Sequence, residues 1–187
     1  MLSKFVLPVL ALSALVTHSA AVMDEGVHLG EAFGGPHGTK YSDVDLIGPG
    51  QTVKAITIRA GERINGVGID FTDATKLMTT LYHGGPKGKP RVLTLGEGEY
   101  ITAMEAHWGE KGDHTRIKYI QFATNKGNHI SGGNPTKDKG RDTAPEGYQL
   151  GGFAGTCGRE LDSVAAVWTR IEPVGTSGGS KPEDELL

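Results

Sequence analysis

Short runs of alternating apolar and polar residues, separated by glycine-rich turns, make up most of this chain. Residues 52–59 alternate with period two, which puts one face of a strand in a core and the other in solvent. Residues 64–71 follow after the turn at 60–63, and 76–82 lead on to a double glycine. Residues 90–95, 100–108, 115–122, 148–154 and 161–171 supply further strands. Their connections carry Gly, Pro, Asn and Asp, whose positive or preset φ suits tight turns. No segment keeps a 3.6-residue apolar period long enough for a helix. The pattern predicts an all-β protein.

A longer period overlies the short one. Gly34-Gly35-Pro36 and Gly84-Gly85-Pro86 each continue to a further glycine two residues on, and Gly132-Gly133 is a looser third copy. The double glycines begin at 34, 84 and 132, at intervals of 50 and 48 residues. Three subdomains of about 50 residues each follow from that spacing. They suit a closed assembly of three small sheets, although a two-sheet sandwich accommodates the same strands.

Composition narrows the class. Glycine supplies 29 of 187 residues without a Gly-X-Y period, which excludes collagen. With 37 % hydrophobic and 22 % charged residues the chain is globular, and a net charge of −3 gives no global field for nucleic acid. Lys4, the apolar run 5–16 and small residues at Ser19 and Ala21 read as a signal peptide over residues 1–21. The mature chain is therefore expected to be secreted, extracellular and without a membrane span. Residues 174–187 read as a flexible acidic tail. The single cysteine, Cys157, excludes an internal disulfide and a Cys-based zinc site.

Catalytic motifs are missing. There is no Gly-X-Ser-X-Gly elbow, no His-Glu-X-X-His and no phosphate loop, and the histidines are scattered singly. No enzyme, metal or cofactor is expected. The informative cluster is Gly158-Arg159-Glu160-Leu161-Asp162, ahead of an apolar strand. A glycine-rich turn ending in aspartate presents several N–H donors around one carboxylate, an arrangement suited to a neutral polyol. The Gly34–Gly38 loop offers a second wall where backbone can approach a ligand closely. A hairpin merely capped by aspartate would carry the same residues.

These residues resemble a known family. The run from Phe33 through Gly34, Gly35 and Gly38 to Asp43, then His83-Gly84-Gly85, residues 98–101, residues 120–125 and Gly158 to Asp162 occur in the order seen in the jacalin-related lectins. The resemblance covers residues 26–172. It implies a β-prism of three four-stranded Greek-key sheets with pseudo-threefold symmetry. It further implies that Asp162 accepts from two sugar hydroxyls while the amides of Arg159 and Glu160 donate. Gly34 and Gly35 would donate from the other side, with Gly158 opening the loop. Specificity would be tuned over residues 126–133, with Asn128 and His129 as candidates.

About a dozen mature residues precede Gly34, so no processed amine is expected there, and the resemblance favours mannose or glucose. Glycans or glycoproteins, cell-wall polysaccharide among them, are the implied partners, with homo-oligomers a family habit. Arg159 and Glu160 depart from the aromatic or small residues common at those positions. The alternative is an exported protein-interaction or polyanion-binding scaffold with a decayed sugar site, using the runs Lys87, Lys89, Arg91 and Lys137, Lys139, Arg141.

Overall fold

The computed structural model describes residues 25–174, so the expected signal peptide and all but the first residue of the expected tail lie outside the described residues. Twelve strands form: β1 (Val27–Gly34), β2 (Thr39–Ser42), β3 (Thr52–Ala60), β4 (Ile64–Thr72), β5 (Met78–Gly84), β6 (Lys89–Thr94), β7 (Ile101–Lys111), β8 (His114–Thr124), β9 (His129–Gly133), β10 (Lys139–Thr143), β11 (Tyr148–Cys157) and β12 (Leu161–Arg170). They make three antiparallel four-stranded sheets rather than two, in the orders β1-β12-β11-β2, β5-β4-β3-β6 and β10-β7-β8-β9. Each sheet is a long inner hairpin flanked by the two strands of a shorter outer one. In the first sheet the inner hairpin is the last in the chain, β11–β12, and the outer pair is the first, β1–β2. This is the β-prism.

The double glycines occupy equivalent corners. Gly34, Gly84 and Gly133 end the strands β1, β5 and β9 with φ of 106°, 103° and 81°. A Cβ at these glycines would lie 2.3 Å from the Asp162 carbonyl oxygen, 2.2 Å from that of Asn65 and 2.0 Å from that of Lys118. Backbone there is closer to backbone than any side chain permits, and the left-handed φ excludes other residues a second time. The next amide at each corner, from Gly35, Gly85 and Asn134, donates to that same carbonyl at 2.8–2.9 Å. The 50-residue repeat is thus one backbone turn made three times.

The inner hairpins carry the core. Ile56, Ile58, Ile69, Phe71, Met104, Ile117, Ile120, Phe122, Leu150, Phe153, Val164 and Trp168 are buried in one cluster shared by all three sheets. The outer strands contribute little to it, and β6 and β10 present Lys89, Arg91, Lys139 and Arg141 along open sheet edges, where charge discourages pairing with another chain. The first and second sheets are joined by a buried carboxylate. Asp43 accepts the Phe153 amide at 2.8 Å on one oxygen, and His83 Nε2 lies 2.8 Å from the other.

The inner strands, of 9 to 11 residues, carry the chain from one end of the prism to the other. Glu99 organises one of these ends. Its Oε2 accepts the Gly96 amide at 3.0 Å, and its Oε1 accepts Asn128 Nδ2 at 2.7 Å and Thr124 Oγ1 at 2.8 Å. Those bonds hold the Glu99 carboxyl down at about 2, the Gly96 amide contributing most. A carboxyl depressed in the folded state stabilises the fold above its unfolded pKa, and that stability is lost as pH falls toward the folded value. Glu99→Gln should therefore lower Tm at pH 7 and lose less Tm than the wild type between about pH 4.5 and 2. Thermal melts across that range check it, and parallel curves for the two proteins would contradict it.

Candidate functional site

At the other end three loops converge. The β11–β12 turn is closed by the Gly158 amide donating to the Glu160 carbonyl at 3.0 Å, which directs Asp162 toward the prism interior. The β1–β2 loop is seated against it. A Cβ on Gly38 would lie 2.7 Å from Asp162 Oδ2, so glycine is what lets this loop close on the carboxylate. The tip of the β7–β8 hairpin brings Lys111, Gly112, His114 and Arg116 to the third side. Together they line an open cavity of about 510 Å³, within the usual range for small-ligand sites. His37 and His114 meet there with ring centroids 4.1 Å apart and planes tilted by 31°. The amides of Arg159 and Glu160 have no internal acceptor among the described residues, and so remain available as donors.

Both carboxylates of the loop are already engaged. Arg63, from the β3–β4 turn, grips Glu160 with Nε and Nη2, each at 2.8 Å. That two-pronged bond holds the Glu160 carboxyl below its ordinary range and raises the Arg63 guanidinium. Arg116 Nη1 donates to Asp162 Oδ1. Asp162 is only 2 % exposed, and burial pushes its carboxyl up, against the opposing pull of Arg116, His37 and His114. Arg116 Nη2 also lies 3.1 Å from His114 Nδ1. Cys157, at the base of the turn, is half-buried, and burial pushes its thiol up, which keeps it from being a ready nucleophile.

The sequence-derived candidates divide. Gly158, Arg159, Glu160 and Asp162 line the cavity together. Gly34 and Gly35 stand beside it with their backbone committed: Gly34 is in the ladder opposite Ser163, and the Gly35 amide donates to the Asp162 carbonyl. Neither is among the residues that line the cavity. Asn128 and His129 are not brought here at all. They lie past the far end of β8, roughly 35 Å of extended strand from His114, where Asn128 serves Glu99. Adjacency to a matched motif does not reveal which end a loop occupies, whereas the alternation of strand directions does. The two basic runs are also apart: β6 borders β9, while β10 lies at the opposite edge of the third sheet.

Sequence reasoning missed Arg63, Lys111, His114 and Arg116. Its available signal was the repeat, since the tips of all three inner hairpins must meet at the end where the double glycines meet. Among the described residues no group of three or more His, Cys, Asp or Glu side chains is placed to hold a metal ion.

Three four-stranded sheets with loops converging at one end place the chain in the β-prism class of fold. The Jacalin-like lectin domain family matches residues 30–167, and the chain belongs to that family. It is 28 % identical over 170 residues to Secreted RxLR effector protein 19 of Plasmopara viticola, covering 88 % of this chain and 93 % of that one. It is 30 % identical over 151 residues to Jacalin-related lectin 46 of Arabidopsis thaliana, covering 76 % of this chain but only 24 % of that much longer protein. Among solved structures, Malaysian banana lectin superposes with a TM-score of 0.67 at 25 % identity, over 78 % of this chain and 99 % of the lectin. A mannose-binding jacalin-related lectin from Ananas comosus gives 0.67 at 19 % identity, over 78 % and 99 %.

The Arg63–Glu160 pair ties two hairpin tips together while largely shielded from water. Arg63→Met should destabilise the fold by about 1–3 kcal/mol in urea titrations, because Glu160 is left without its main donor. Arg63→Met combined with Glu160→Leu should recover most of that loss. Because the Glu160 carboxyl is depressed, the cost of Arg63→Met should be present at neutral pH and disappear below the ordinary glutamate range. A cost that stays constant from pH 7 to pH 3 would show that the pair is not its source.

Proposed function

We propose that the protein is a secreted lectin, without catalytic activity, that holds a glycan of mannose or glucose configuration in the cavity between the β1–β2 loop, the β7–β8 tip and the Gly158–Asp162 turn. One observation carries this reading: three loops from two sheets converge on an open cavity of sugar size, with the unspent amides of Arg159 and Glu160 along its edge. Amides of that kind donate to a hydroxyl oxygen at little cost in ordering, since the turn already fixes them. The mannose-binding lectin from Ananas comosus and a mannose-specific one from Morus nigra share the fold, which supports the choice of sugar. The effector relative is described as secreted, in keeping with the signal-like residues 1–21. One shallow site implies weak monovalent binding, made useful by multivalent display on glycoproteins or cell-wall polysaccharide.

A scaffold that has lost sugar binding is the second reading, and the occupation of Asp162 by Arg116 is what favours it. A blocking substitution separates the two. Gly158 has no heavy atom within 4 Å of where its Cβ would stand. Gly158→Trp should therefore leave Tm within a few degrees while filling the mouth of the cavity. On a glycan array the wild type should bind and Gly158→Trp should not, whereas Asn128→Ala at the far end should keep the same glycan profile. Binding that survives Gly158→Trp would remove this cavity from the reading, and a silent array would favour the scaffold.

A further inference from the structure

The balance of donors and acceptors in the cavity is lopsided. A neutral sugar hydroxyl both donates and accepts, so a site for it needs open acceptors as well as donors. Here Arg63 holds Glu160 at both oxygens and Arg116 holds Asp162 at Oδ1, so Asp162 Oδ2 is the one oxygen of these two carboxylates left without a hydrogen bond. The donors are in surplus. Arg159 is exposed and has no hydrogen bond or ion pair among the described residues. Lys111 has a half-exposed side chain and comes no nearer than 3.9 Å to Glu160. Arg116 keeps only His114 on its second terminal nitrogen, and the amides of Arg159 and Glu160 add two more N–H groups. Lys111, Arg116 and Arg159 thus line the cavity against the carboxylates of Glu160 and Asp162, and Arg63 brings a further positive charge onto Glu160, in a protein whose net charge is −3. The local sign opposes the global one.

We infer that the saccharide this cavity takes is acidic: a manno- or gluco-configured ring bearing a carboxylate or a phosphate ester, with the anion held by Arg116, Arg159 and Lys111. The inference rests on the lectin reading above and specifies its ligand. An anionic oxygen group is acceptor-only and matches the guanidinium fork, so it answers the surplus of donors in this cavity while Arg116 stays on Asp162 Oδ1. Arg116 then sets specificity in two ways, by occupying Asp162 Oδ1, which leaves a neutral hydroxyl only the other oxygen, and by presenting its remaining N–H groups to an anion.

Titration calorimetry of the full chain with four probes tests this: a mannuronate trisaccharide, its methyl ester, mannose 6-phosphate and mannotriose. At least one of the two acidic probes should bind about tenfold or more tighter than both neutral ones, the worth of a charge-assisted bond or two. Arg159→Gln and Lys111→Gln, which break no hydrogen bond of the fold, should each weaken the acidic probe about five- to tenfold and the ester far less. The acidic affinity should also fall as salt rises from 0.05 to 0.5 M. Tight mannuronate binding assigns the anion as a carboxylate, and tight mannose 6-phosphate binding assigns it as a phosphate ester. Equal binding of acid and ester, or acid binding indifferent to both substitutions, overturns the inference while the lectin reading stands. If none of the four probes binds but a neutral glycan on the array does, the anionic ligand is rejected alone. If neither experiment gives binding, both readings fall.

Discussion

Everything in this molecule depends on three places where one stretch of backbone passes so close to the carbonyl of another that only a hydrogen fits on the Cα. At Gly34, Gly84 and Gly133 the chain leaves an outer strand, turns with a left-handed φ and bonds its next amide to the carbonyl it has just cleared. Each corner fixes where the outer hairpin crosses its inner one, and hence which prism end receives the loop that follows. The three corners share an end, so the hairpin tips also share it. A cavity among those tips is then a geometric result of the repeat, and the double glycines serve it as framework.

Framework alone does not choose a ligand, as the molecule's own symmetry demonstrates. The loop Gly84–Gly88 encloses Asn65 much as Gly34–Gly38 encloses Asp162: a Cβ on Gly88 would lie 2.4 Å from Asn65 Oδ1, against 2.7 Å from Asp162 Oδ2 for Gly38. Backbone geometry repeats while charge does not. Only the first-sheet version holds a carboxylate, and only there does an arginine arrive from a second sheet to meet it. Burial alone would leave Asp162 costly to ionise, and Arg116 offsets that cost. The partner that makes the buried charge tolerable also changes what the cavity can recognise.

The inner hairpins were legible because they carry the apolar residues of the core: β3 alternates over its first half, while β4 and β12 are buried along almost their whole length. Residues 52–59 and 64–71 foreshadow β3 and β4 within a residue or two, and 161–171 foreshadows β12. The strands β1, β2, β9 and β10 were not read from periodicity, and their sequences explain why. β10 is Lys-Gly-Arg-Asp-Thr, with no apolar residue, and β2 is Thr-Lys-Tyr-Ser. Such strands are held by ladder bonds to an inner strand rather than by a face in the core, so the hydrophobic pattern is silent about them. Their number and place followed from the family resemblance. In the site, the contiguous residues of the Gly158–Asp162 turn were readable, whereas Arg63 and Arg116 join it across 97 and 46 positions of sequence. Nothing local marks an arginine as the future partner of a distant carboxylate.

The sheet that carries the site is assembled from the two ends of the domain. β1 and β2 precede the other strands, yet they pair only with β12 and β11, across 112 to 142 positions of sequence (from Ser42 opposite Ala154 to Val27 opposite Thr169). A chain made from its N-terminus can complete the second and third sheets while these first two strands still wait with open edges. Loop closure over such a distance is slow to be rewarded. The order of synthesis and the order of pairing are therefore reversed for this one sheet. The cavity does not exist in any partly made chain, and its completion coincides with closure of the prism.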